Sequence, residues 1–174
     1  MIVWINGAFG AGKSTTASVL TEQVPTLRLF DPEHVGYMLS ANLGGVDFAD
    51  FQDLAAWRTL VPAVARHIAE LTQQQLLAVQ TVLVEEYWCE LLAGLRAHDF
   101  DVFHVVLDVD DAALETRIRG DEHERQAEGW RLDHAVTYRA QREWMVSAAD
   151  LVVDTTSMSA SQAAAAIGAA LPVD

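Results

Sequence analysis

The sequence predicts an α/β fold of three layers, helix on sheet on helix, with five strands forming a mostly parallel sheet. Three observations predict it. Short apolar runs alternate with helical stretches along the whole chain. The first run opens directly into the glycine-rich segment 7–14, Gly-Ala-Phe-Gly-Ala-Gly-Lys-Ser, and a helical pattern follows. Finally, 174 residues with 51% apolar content suffice for one sizeable core and make two domains improbable.

In chain order, residues 2–6 read as the first strand and 14–24 as a helix that Pro25 stops. Residues 27–30 form the second strand, 76–84 the third despite the interruption by Gln80 and Thr81, 102–109 the fourth and 151–154 the fifth. Buried-type strands alternating with helices imply right-handed crossovers and ligands at the carboxyl ends of the strands. Two segments fall outside this scheme, 44–66 and the polar stretch 120–130, and both are expected to be mobile excursions over the ligand site. No internal repeat is present, and the whole chain, 1–174, reads as one domain.

A formal charge of −14 and a pI near 4.6 repel a phosphate backbone and disfavour nucleic acid as a partner. No apolar run approaches the ~20 residues that span a bilayer, so a cytoplasmic protein is expected, with peripheral membrane contact left open. Cys89 is the one cysteine and fits a reducing compartment. Lys13 is the one lysine, against ten arginines. A chain that does not use lysine for solubility places this one for a reason.

Residues Gly7, Ala8, Phe9, Gly10, Ala11, Gly12, Lys13, Ser14 and Thr15 make a phosphate-binding loop. Its glycines let backbone amides converge on phosphate oxygens, Lys13 supplies charge to the β- and γ-phosphates, and the Ser14 hydroxyl can coordinate Mg²⁺. ATP and Mg²⁺ are the implied cofactors. Asp31-Pro32-Glu33 closes the second strand on the same edge. Asp31 suits deprotonation of an acceptor hydroxyl or support of the metal, and Glu33 suits acceptor binding. The same three residues are also a good helix start. No acidic residue closes the third strand, which leaves Asp31 or Glu85 as the second metal anchor.

The acceptor segment, about 37–70, is rich in aromatic residues and has Arg58 and Arg66 as its only arginines. A phosphorylated acceptor needs several guanidinium forks, so a neutral acceptor with a flat ring is expected. Six arginines lie between 117 and 142, which suits a lid, about 120–130, closing over a triphosphate; Arg117 and Arg125 are the preferred functional pair. The six histidines, His34, His67, His98, His104, His123 and His134, show no metal-ligand spacing.

The opening Ile-Val-Trp-Ile-Asn-Gly-Ala-Phe-Gly-Ala-Gly-Lys, the Phe-Asp-Pro-Glu-His-Val-Gly of 30–36 and the Phe-Ala-Asp-Phe-Gln-Asp-Leu-Ala-Ala-Trp-Arg of 48–58 together resemble the tunicamycin-resistance ATP-binding proteins. Glu86-Tyr87, residues 114–119 and 149–155 fit the same family and, more loosely, the nucleotide and shikimate kinases. The resemblance implies strand order 2-3-1-4-5, an ATP site and resistance to a uridine-containing antibiotic. It further implies that Arg117 stacks on adenine, that Arg125 belongs to the lid and that Arg139 reaches the transferring phosphate.

The expected activity is ATP-dependent phosphorylation of a hydroxyl on tunicamycin or a uridine-like molecule. Lys13, Asp31, Arg125 and Arg139 are the catalytic candidates; Phe51 and Trp57 offer ring faces and Arg58 a fork to the acceptor. The alternatives are a drug-sequestering ATP-binding protein and a metabolic kinase of the shikimate or gluconate type. A guanine-specific switch is disfavoured, because its Asn-Lys-x-Asp motif needs a second lysine.

Overall fold

The computed structural model describes residues 1–122 and 124–172, so His123 of the six histidines lies outside the described residues. Five parallel strands pair in the order β2-β3-β1-β4-β5: β1 (Ile2–Gly7), β2 (Leu27–Phe30), β3 (Gln75–Val79), β4 (Val102–Asp108) and β5 (Leu151–Asp154). The expected order holds. The central strand β1 is buried along its entire length, which is why its six residues carry no charge.

Because side chains alternate across a strand, β1 feeds two cores. Val3 and Ile5 face the side covered by α1 (Lys13–Gln23), α5 (Asp111–Gly120), α6 (Glu128–Ser147) and α7 (Ala160–Ala170). Ile2 and Trp4 face α2 (Glu33–Asn42), α3 (Ala55–Thr72) and α4 (Glu85–Ala97). On that second side Trp4, Trp57 and Trp88 are fully or almost fully buried, so much of the expected aromatic surface is core. Trp88 stacks on His104 with ring centroids 4.1 Å apart, and burial lowers the pKa of that histidine.

The third strand is shorter than the sequence suggests. It ends at Val79; the Gln80 amide makes one more bond to β1, to the Ile5 carbonyl at 3.2 Å, and residues 80–84 carry no strand. The side chain of Asn6 takes the ladder's place: its Oδ1 accepts from the Val82 amide at 2.9 Å and its Nδ2 donates to the Val82 carbonyl at 3.1 Å. This pulls the chain away from the sheet and leaves Gln80 and Thr81 at the edge where ligands bind.

The segment 44–66 is expected as an excursion over the ligand site, but much of it is helix packed in the core. It contains a 3-10 turn at Phe51–Asp53 and the first two-thirds of α3, whose Trp57, Val61 and Ala65 recur every four residues and are fully buried. Pro62 sits inside α3 where α4 crosses it; a Cβ on Gly94 would lie 2.8 Å from the Pro62 ring. The segment 120–130 holds a second 3-10 turn, Arg125–Ala127, and the first turn of α6.

Candidate active site

The turn from β1 into α1 requires glycine. Gly7 has φ 138°, and a Cβ there would sit 2.5 Å from the Leu107 carbonyl oxygen on β4. Gly12 caps α1 in the left-handed region with φ 92°, and no side chain caps this helix. The first-turn amides of α1 therefore point, without a side-chain acceptor, into the space an anion would fill. Lys13 folds back over the loop, with Nζ donating to the carbonyls of Gly7 at 3.1 Å and Ala8 at 2.9 Å and lying 5.3 Å from the Phe9 ring. Burial lowers its pKa to about 7; Glu33 raises it and Arg131 lowers it further.

The loop forms the floor of a cleft of about 1000 Å³. Glu33, Tyr37, Asp50, Phe51 and Gln52 make one wall, and Arg117, Asp121, Trp130 and Arg131 make the other. Two smaller hollows of about 230 Å³ adjoin it. One runs from Gly10 and Thr16 past Arg117 to Thr155, Met158 and Ala163, a slot suited to a flat ring. The other joins Lys13 and Ser14 to Asp31, Glu33 and Gln80. Phosphate loop and acidic edge thus open on one space.

On the acceptor wall, Asp31 Oδ1 accepts from the Glu33 amide at 2.9 Å and caps α2, while its Oδ2 lies 3.9 Å from His34 Nε2. Glu33 accepts the Tyr37 hydroxyl proton at 2.6 Å, and this bond, with smaller contributions from burial, pushes the tyrosine's pKa up to about 12. Phe51 presents its ring to the cleft between Tyr37 and Trp57, at centroid distances of 6.4 and 5.4 Å. It presses on Gly36 of α2 so closely that a Cβ there would stand 2.5 Å from the ring.

Four expected contacts are corrected. Trp57 has 0% exposure and donates from Nε1 to the Pro32 carbonyl at 3.0 Å, so it supports Phe51 instead of touching a ligand. Arg58 is committed elsewhere: its Nε meets Glu90 at 2.7 Å, Nη1 donates to the Gln52 carbonyl and the guanidinium lies over the Tyr87 ring at 4.2 Å. Arg125 is 71% exposed, pairs with Glu122 at 3.3 Å and lines a separate outer hollow. Arg139, one position past the buried Tyr138, pairs with Asp111 at 2.6 Å and is not among the residues lining the cleft. Glu85, the alternative metal anchor, is an exposed residue at the start of α4 and does not line the cleft.

Arg117 lies between the cleft and the ring-sized slot, held by hydrogen bonds to the carbonyl groups of Thr155 and Thr156. The lid arginine that faces the loop is Arg131, which the sequence pattern does not single out. It pairs with Asp121 at 2.8 Å and lies close enough to Gly10 that a Cβ there would meet its Nη2 at 3.3 Å. Trp130 beside it stands edge-on to Phe9 at 4.6 Å and stacks on His134 at 3.8 Å. A register of exposed and buried positions on α6 carries this information; a count of arginines does not. The helix is tied to β4 by Asp108, which accepts from Tyr138 Oη at 2.8 Å and from Arg142 Nε at 2.8 Å. Burial opposes the charge on Asp108, but these donors prevail and hold its pKa below the usual carboxylate range.

Among the described residues no three His, Cys, Asp or Glu side chains gather as a metal site. The donors nearest the loop, Ser14, Asp31 and Glu33, fit a Mg²⁺ ion that keeps most of its ligands from nucleotide phosphates and water. They do not fit a metal held by protein alone.

A glycine-rich turn into a helix with no side-chain cap, a buried lysine and an acidic edge on one cleft define a phosphate-loop nucleotide-binding protein. The family model described as AAA domain, AAA_33, matches residues 2–143, and the chain belongs to that family. A tunicamycin resistance protein of Deinococcus radiodurans is 26% identical, with a TM-score of 0.75 over 97% of this chain and 93% of that one. The APS kinase of Mycobacterium tuberculosis in complex with AMPPNP and APS shares the fold at 18% identity and a TM-score of 0.60, covering 97% and 95%. Shikimate kinase from Acinetobacter baumannii in complex with shikimate does so at 16% and 0.60, covering 95% and 89%. No curated protein sequence matches significantly.

Proposed function

We propose that the chain moves the γ-phosphoryl group of ATP to a hydroxyl of an uncharged, ring-bearing small molecule of the tunicamycin or uridine type, and so confers resistance. The observation that carries this reading is the distribution of charge in the cleft. Its cations, Lys13, Arg117 and Arg131, lie on the loop, on α5 and at the start of α6, while the acceptor wall offers Glu33, Asp50, Gln52, Tyr37 and Phe51 and no lysine or arginine. An anionic acceptor would meet carboxylates there; a neutral polyhydroxylated one meets hydrogen-bond acceptors and a ring face. The resemblance to the tunicamycin resistance protein points to the same class.

In this reading Lys13 and the α1 amides hold the β- and γ-phosphates, and Mg²⁺ at Ser14 would add charge to the transferring group. Asp31, with Oδ2 free of the cap, takes the proton of the acceptor hydroxyl. Arg117 supports adenine in the adjoining slot, and Arg131 closes on the phosphates with the lid. Mass spectrometry of tunicamycin after incubation with MgATP tests the reading: a phosphorylated product is expected. Tight binding without a product would make the protein a sequestering one, and a phosphorylated acid such as shikimate would overturn the neutral acceptor class.

A further inference from the structure

At the carboxyl end of β3, where the acidic residue of many phosphate loops would stand, this chain has Gln80. Its residue exposure is 3%, yet it lines both the main cleft and the hollow that joins Lys13 and Ser14 to Asp31 and Glu33. Its backbone is fixed by donation to the Ile5 carbonyl at 3.2 Å. Its Nε2 leans toward the Thr81 carbonyl at 3.4 Å, a group that already receives a better bond from Gln52 Nε2 at 2.9 Å. That contact also sets which way the carboxamide faces, since the opposite flip would put oxygen against a carbonyl. Among the described residues, nothing donates to the buried Gln80 Oε1. A buried acceptor between phosphate loop and acidic edge is unfavourable until something donates to it.

We propose that Gln80 Oε1 accepts a hydrogen bond from the acceptor molecule, at a hydroxyl or N–H beside the one that is phosphorylated, and that it selects for an acceptor that carries this donor. This rests on the acceptor reading given under Proposed function. A neutral carboxamide suits the place better than a carboxylate. It lines one hollow with Asp31 and Glu33, and it reads a donor without adding a third carboxylate there. Thr81 holds the neighbouring backbone in place, donating from Oγ1 to the Gly7 carbonyl at 2.9 Å, the same oxygen that Lys13 uses. The reader of the acceptor and the phosphate loop are therefore one connected structure.

The test compares wild type with Gln80→Met, which keeps the length and apolar contacts of the side chain and removes Oε1. The acceptor is whichever compound the wild type phosphorylates or binds in a panel of tunicamycin, uridine, uncharged sugars and shikimate. That first measurement judges the acceptor class, and the ratio between variant and wild type judges Gln80. Gln80→Met is expected to raise the acceptor KM or Kd about tenfold or more, the usual effect of one lost hydrogen bond at a buried site. AMPPNP affinity and its Mg²⁺ dependence are expected to stay within twofold, with a melting temperature no lower than wild type. A raised Mg²⁺ requirement for AMPPNP, with or without an effect on the acceptor, would assign Oε1 to a metal-bound water and overturn the proposal. Unchanged acceptor affinity would overturn it as well.

Discussion

Lys13 shows how one side chain links stability to function. The residue holds its proton up to pH 10.5 in an unfolded chain but only to about pH 7 in its buried place, because burial outweighs the pull of Glu33. Between those values the unfolded chain carries the extra proton, so stability rises with pH across that window, the reverse of a lysine that gains a partner on folding. The melting temperature of the nucleotide-free protein, taken relative to Lys13→Ala, is expected to climb from pH 7 toward pH 10.5. Bound phosphates restore the charge, so nucleotide binding above pH 7 takes up a proton and weakens as pH rises; calorimetry in buffers of different ionisation enthalpy reads that uptake. Lys13→Ala removes a desolvated charge and should fold normally, while turnover falls by a factor on the order of 10² to 10³. Undiminished turnover in that folded variant would refute the site. Asp31→Asn keeps an oxygen for the Glu33 amide, so the cap survives. Phosphoryl transfer is expected to drop by ~10² to 10⁴ with nucleotide affinity unchanged, measured by single-turnover kinetics. Wild-type transfer would leave Asp31 only a cap.

At the scale of elements, α3 and the 3-10 turn before it act as a shaped support for the acceptor wall. Trp57 and Arg58 do this from below: one holds the Pro32 carbonyl, the other the Gln52 carbonyl and Glu90. Arg58→Ala therefore leaves the Gln52 carbonyl without its buried donor and Tyr87 without its cation. A loss of about 2 kcal/mol in unfolding free energy is expected by denaturant titration, from a charged hydrogen bond with a half-exposed partner. Acceptor affinity should fall with it and ATP affinity should not. A variant as stable as wild type that had lost only acceptor binding would return Arg58 to the role of direct ligand. On the other side of the cleft, Asp108 pins α6 to β4 near its middle, well beyond the first turn that carries Trp130 and Arg131.

For the whole molecule, the proposed function divides the cleft into a nucleotide side and an acceptor side that meet at the phosphate loop. In that proposal, closure of 120–131 over one ligand would improve the surroundings of the other, and such coupling is reciprocal. Tunicamycin should raise the melting temperature more with Mg-AMPPNP present than without it, and Mg-AMPPNP should bind more tightly by the same factor when tunicamycin is present. A factor of one, with each ligand binding equally well in the absence of the other, would show that no closure links the two. Trp130, half exposed against Phe9, provides the optical signal for closure.

Much of this was legible in the chain itself. The strand order was expected from the family resemblance, and alternation with burial made the sheet parallel. The glycines, the single lysine and the Asp-Pro-Glu edge marked two segments that the fold brings to one cleft, because those features depend on local backbone geometry and on residue chemistry. Which aromatic or arginine side chains face the ligand is a different kind of fact. Trp57 and Phe51 are six residues apart in the same aromatic-rich segment, yet one is sealed in the core and the other lines the cleft. Arg131 faces the loop while Arg125 and Arg139 pair with surface carboxylates. Such choices follow from the rotation of α3 and α6 against the sheet, which is set by contacts as remote as Pro62 on Gly94 and Asp108 on Tyr138 and Arg142. Gln80 is the clearest case: its sequence position marks the end of a strand, and only the tertiary structure buries its Oε1 beside the phosphate loop, where nothing among the described residues donates to it.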